Sequence, residues 1–139
     1  MGKANNYIDN EKFFQNLVEY VESLQECSDD EQTIPVPDYI GECFLLIATN
    51  LAFRKNFINY TYRDDMVGDA IENCLQCVGN FDKEKSKNPF AYFTQVCYFA
   101  FLRRIQKEKK EALIKEKVMN DTQIFEKIME IDGIAFHIL

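Results

Sequence analysis

The chain has 139 residues, 47% of them hydrophobic and only three of them proline, which suits a single folded globular domain with a real core and excludes a largely disordered segment. A net charge of −7 argues, as a total, against a nucleic-acid partner, but the charge is unevenly spread. Residues 1–82 hold 5 basic and 15 acidic side chains, residues 83–117 hold 10 and 4, and residues 118–139 hold 1 and 4. The middle of the chain is therefore a basic island, and a polyanion responds to local potential within ~8–10 Å.

No apolar run approaches the ~20 residues needed to cross a membrane. The opening "MGKANNYIDN" lacks an apolar signal region, and position 6, where N-myristoylation wants Ser or Thr, is Asn6. Five cysteines without a secretory leader fit free thiols in a reducing cytoplasm.

The first element is "NEKFFQNLVEYVESLQ". Phe13, Phe14, Leu17, Val18, Val21 and Leu24 recur at helical spacing, with Asn10 as the N-cap. Acids and prolines in "CSDDEQTIPVPD" then break the pattern into a linker. A second helix starts at about Asp38, its cap, and is apolar on most sides, which predicts a central position. "NFINYTY" reads as a connection, although its β-branched and aromatic content suits a short strand equally well.

The third helix, "RDDMVGDAIENCLQCVGN", has the cleanest periodicity. Met66, Val67, Ala70, Ile71, Cys74, Leu75 and Val78 fill one half of the wheel, and Gly79 and Asn80 end it. Asp65, Asp69, Glu72 and Gln76 form a narrow stripe opposite. Asn88 and Pro89 supply an N-cap and first residue for a fourth helix that can run to near Val118. "DTQIFEKIMEI", capped by Asp121, is a short last helix before Gly133 and the apolar tail "IAFHIL". Four to five helices result, an all-α chain divided as an N-terminal helix and acidic linker (1–37), a central helical domain (38–118) and a C-terminal piece (119–139).

The fourth helix packs six aromatic residues into positions 90–101 and then turns basic. Phe90, Phe93, Cys97 and Phe101 fall together as a buried face. Tyr92, Gln95, Phe99, Arg103, Gln106 and Lys110 fall within about 80° of one another on the other side. Rings there stack on unpaired bases, amides read base edges and cations hold phosphates, the chemistry of a surface for exposed DNA bases. The plainer alternative is that the rings are core and the basic run a solvated helix end. "CLQC" at 74–77 is a C-x-x-C, but a structural zinc site wants four ligands and no second pair exists, so both thiols read as core. With no Gly-rich phosphate loop and no Ser-His-Asp set, an enzyme is not expected, nor is any cofactor or metal.

"DDMVGDAIENCLQCVGNFDKEKSKNPFAYFTQVCYFAFLRRIQKEKKE" resembles region 2 of bacterial sigma factors, the core-binding and promoter −10 region. "NFDKEKSKNPFAYFTQ" with "RRIQKEKKE" is most similar to the late-transcription sigma factors of T4-like phages. The resemblance covers residues 38 to about 118. It implies that Asp65, Asp69, Glu72 and Gln76 bind the β′ clamp helices of the host polymerase core, an acidic face suited to a basic coiled coil. It implies that Tyr92 stacks on a flipped −10 base, while Gln95 and Val96 stand where most sigma factors have a Trp pair, leaving Tyr98 or Phe99 to supply the stacking surface. Arg103, Arg104 and Lys107 match the basic end near upstream duplex DNA, continued by Gln106 and Lys110. Nothing resembles the −35-reading region 4, so dependence on a late coactivator or a phage sliding clamp is implied. Ile134, Phe136 and Leu139 are the only tail residues suited to a clamp contact. The implied setting is the cytoplasm of the infected host. A rival reading is a polymerase-binding adapter, such as a coactivator or anti-sigma factor, that does not read DNA.

Overall fold

The computed structural model describes residues 7–26, 34–120 and 126. Among these residues there are four α-helices and no strand: α1 (Asn10–Glu26), α2 (Asp38–Ala52), α3 (Arg63–Cys77) and α4 (Pro89–Asn120). The all-α expectation and the long fourth helix are both met. The chain forms two compact units, Met1–Leu102 and Arg103–Leu139.

α1 begins one residue earlier in capping terms than its sequence suggests. Asp9, not Asn10, is the cap: its Oδ1 accepts the backbone N–H groups of Glu11 and Lys12, each at 3.2 Å. Two adjacent good capping residues make that one-residue ambiguity unavoidable from sequence. Of the face that the periodicity marks as apolar, Phe13, Leu17 and Val21 are buried, and Tyr20, outside that pattern, is buried with them. The Tyr20 hydroxyl also donates to the Ile34 carbonyl at 2.8 Å, fastening the segment before α2 to α1.

α2 starts on Pro37, which has no side-chain capping bond, so Asp38 is the first helical residue rather than the cap. Its carboxylate still suits the positive end of the helix dipole. Ile40, Cys43, Phe44, Ile47, Ala48 and Ala52 are buried where α2 packs against α1 and α3. Leu45 and Leu46 remain exposed, so α2 is buried on its α1 and α3 faces rather than all round.

α3 buries Met66, Ala70 and Cys74, one residue per turn, while Leu75, placed by the wheel in the apolar half, is 42% exposed. The helix ends in a 3-10 turn over Val78–Asn80 with no residue at positive φ. Tightening of the last turn therefore stops α3 at Gly79 and Asn80, where the sequence ends it. The connection between α2 and α3 is a run of turns, as expected.

The core of the first unit is an aromatic stack. Phe93 of α4 lies 4.7 Å from Phe44 of α2 and 5.8 Å from Phe13 of α1, ring centre to ring centre, and Phe81 closes the group at 6.1 Å. Such pairs add ~0.5–1.5 kcal/mol each beyond the area they bury. α1 thus belongs to the same compact unit as α2 and α3, although the sequence division at residue 37 sets it apart.

Candidate functional site

The segment that begins α4 is positioned by a capping arrangement. Asn88 Oδ1 accepts the Ala91 N–H at 3.1 Å, and Pro89 occupies the first helical position, where no donor is needed. Asn10, at the start of α1, supplies a second cap. Its Oδ1 accepts the Phe90 N–H at 3.1 Å, and its Nδ2 donates to Asn88 Oδ1 at 2.9 Å. Two asparagines 78 positions apart thereby fix the helix that carries the rings. Sequence reading missed this role of Asn10, because only the fold brings it to Asn88.

From that start the helical period sorts the rings as the wheel does, with Tyr92 the exception. Phe93, Cys97 and Phe101 are fully buried and Phe90 is half-buried against Tyr7, 5.7 Å away. On the other side Gln95 is exposed, Tyr98 is 39% exposed and Phe99 is 46% exposed. Tyr98 and Phe99 meet edge to face at 5.6 Å. Each ring of the pair is thus partly open to solvent and held against the other.

Tyr92 sits differently from the expectation of an open stacking ring. It is half-buried, edge-on to Phe81 at 5.7 Å and to Phe93 at 4.8 Å, and burial pushes its hydroxyl above the usual tyrosine range. Phe81 follows the 3-10 turn after α3, outside any periodic pattern, which is why a wheel of α4 alone did not show the contact. Val96, like Tyr92, is half-buried.

In the second unit the basic residues continue along α4. Arg103, Gln106, Lys107 and Lys110 are exposed. Arg104 is half-buried and pairs with Glu108 at 3.1 Å, one turn on. Such an i,i+4 pair adds only tenths of a kcal/mol to the helix but orients the guanidinium along it.

The acidic stripe of α3 is present as a face. Asp65, Glu72 and Gln76 are exposed, while Asp69 is half-buried and its backbone carbonyl accepts the Asn73 side-chain amide at 2.8 Å. Beside it Leu45 and Leu75 line one shallow depression with Val36, Pro37, Asp38 and Glu42. The acidic face therefore has apolar residues at its edge.

The C-x-x-C does not act as a pair. Cys74 is fully buried and faces Cys97 of α4 across 3.6 Å, whereas Cys77 is half-buried. The contact with Cys97, together with burial, pushes the Cys74 thiol well above the ordinary thiol range, which keeps it protonated and unreactive. No group of three or more metal-ligating side chains occurs among the described residues. Among those residues no helix is long and apolar enough to cross a membrane. Ile134, Phe136 and Leu139, the tail residues suited to a clamp contact, lie outside the described residues, as does the short helix expected after Asp121 apart from Glu126. No protein-family model matches the sequence, and no curated protein matches it.

Proposed function

We propose that the chain is a sigma-like transcription factor that joins a bacterial RNA polymerase core to promoter DNA. One observation carries the reading above the others. Gln95, Tyr98 and Phe99 stand exposed on α4 directly behind a buried aromatic face, and the chain then turns from an acidic to a basic balance. Burial accounts for Phe93 and Phe101 but not for a half-exposed pair of rings next to an exposed amide. Unpaired bases stacking on Tyr98 and Phe99 account for them. The second unit, taken by itself, carries exposed Arg103, Lys107 and Lys110, cations of the kind that hold phosphates. The half-burial of Tyr92 moves the proposed stacking role from that residue to Tyr98 and Phe99.

The acidic face of α3 supports a protein partner of opposite charge, and in this reading that partner is the pair of β′ clamp helices. Asp65 and Glu72 steer the encounter and set its register, while Leu45 and Leu75 at the edge exclude water. Promoter DNA and core polymerase are the proposed partners, together with a phage sliding clamp and a late coactivator. The proposed site of action is the cytoplasm of a phage-infected host.

Binding of a fluorescent, single-stranded A/T-rich oligonucleotide, with and without core polymerase, tests this reading. Wild type is expected to bind it with polymerase present, and Phe99→Ala to weaken that binding about 5- to 160-fold, the worth of one lost stack. Polymerase binding without any effect of Phe99→Ala on the oligonucleotide would instead describe an adapter that does not read DNA.

A further inference from the structure

The acidic part of the chain contains a local exception. Residues 1–82 carry only five basic side chains; two of them, Arg54 and Lys55, lie in the short connection between α2 and α3, and a third, Arg63, opens α3. No acid occurs between Glu42 and Asp64. The same connection carries Phe53, 54% exposed and the most exposed phenylalanine of the chain's described large apolar residues.

This connection is built, not loose. Arg54 N–H donates to the Leu51 carbonyl at 3.0 Å, and the Arg54 carbonyl accepts from both Phe57 and Ile58 at 2.9 Å. Arg63 closes the loop from its far end: its guanidinium donates to the Ile58 carbonyl and lies 4.8 Å over the Phe53 ring. An Arg and a Phe are thereby stacked on one another, with Arg54 and Lys55 exposed beside them. A loop fixed by its own hydrogen bonds loses little freedom when a ligand settles on it.

The loop is also docked beside the exposed rings of α4. Phe57 is buried, with its ring 5.1 Å from Phe101 and 5.9 Å from Tyr98. Tyr98 in turn meets Phe99. Arg54 lies near the Tyr7 hydroxyl, whose upward shift from burial its charge opposes. One surface of the first unit therefore presents Phe53, Arg54 and Lys55 from the connection and Tyr98 and Phe99 from α4.

We infer that the α2–α3 connection is a second contact element for single-stranded nucleic acid, its two cations holding backbone phosphates while Phe53, stacked on Arg63, offers a platform to a base. Cations beside exposed rings, in the longest acid-free stretch of an acidic half, fit an unpaired polyanionic strand; a duplex offers phosphates but no base face. The inference rests on the proposed role of α4 only in taking Tyr98 and Phe99 as the neighbouring stacking surface.

The test measures the full chain binding a fluorescent oligothymidine over a range of salt, with Arg54→Ala plus Lys55→Ala, and separately Phe99→Ala, as variants. Losing two phosphate contacts should make the slope of log affinity against log salt shallower by about 1.4, with the circular-dichroism spectrum unchanged because both side chains are exposed. A strand carrying 5-iodouracil should photocrosslink to residues 53–63 in wild type. Wild-type affinity, slope and crosslinking in the double variant would overturn the inference, and so would absence of oligonucleotide binding by wild type. A duplex of equal length bound as tightly as the strand would overturn the single-strand assignment. If Phe99→Ala alone weakens binding, the α4 reading stands without this one; if the double variant alone weakens it, this inference stands and the α4 reading falls.

Discussion

Phe93→Ala and Phe99→Ala test the assignment of faces on α4, because the two rings lie six residues apart on one helix and differ in burial. Phe93 is fully buried and meets Phe13, Phe44, Phe81 and Tyr92. Truncating such a ring costs about 3–5 kcal/mol in lost transfer energy and cavity. At roughly 3–5 °C per kcal/mol for a chain of this size, the melting temperature should fall by roughly 10–20 °C. Phe99 is 46% exposed, so about half of the ~1.5–3 kcal/mol for full burial is at stake, about 1 kcal/mol and a few degrees. Its loss should appear in DNA binding instead, as about 1–3 kcal/mol per stacked base. Thermal melts followed by circular dichroism, together with oligonucleotide titrations, separate the two effects. A large drop in melting temperature for Phe99→Ala, with unchanged DNA binding, would refute the division of the helix into a packing and a reading face.

Asp65→Lys with Glu72→Lys reverses two exposed charges on α3 and should abolish capture of core polymerase in a pull-down while leaving the melting temperature within about 3 °C of wild type. Asn10→Ala removes the cap on Phe90 N–H and the bond to Asn88, and should cost about 1 kcal/mol; the double variant with Asn88→Ala should cost less than the sum of the singles, measured by urea unfolding. Tyr39 is raised from 10.0 to about 12, by burial first and by its neighbour Cys43 second. Because its folded pKa lies above the unfolded value, the stability it contributes is complete below about pH 10 and is lost as pH rises toward about 12. Alkaline unfolding curves should therefore fall less steeply over that window in Tyr39→Phe.

Much of the fold is legible in local pattern. The buried positions of α4 follow from the 3.6-residue period, and its start follows from Asn88 and Pro89, because capping is chemistry between neighbours in sequence. The acidic face of α3 is legible for the same reason. What was not legible depends on residues that meet only in the folded chain. Asn10 caps a helix that begins 79 residues later, and Phe81, from a turn, half-covers Tyr92. Leu75 stays exposed because an apolar half-wheel is wider than the strip that neighbouring helices cover. The connection after α2 is irregular, so its periodicity is silent about Phe57, whose burial against Tyr98 and Phe101 sets the Phe53 and Arg54 surface beside α4.

The central claim is that this chain brings a polymerase to melted promoter DNA, and run-off transcription with core polymerase on matched duplex and pre-melted A/T-rich templates measures it most directly. Wild type should direct initiation from a defined start on the pre-melted template. Phe99→Ala should lose initiation mainly on the duplex template, where strand opening depends on stacking. No specific transcript from either template, with the chain bound to the core, would contradict the account.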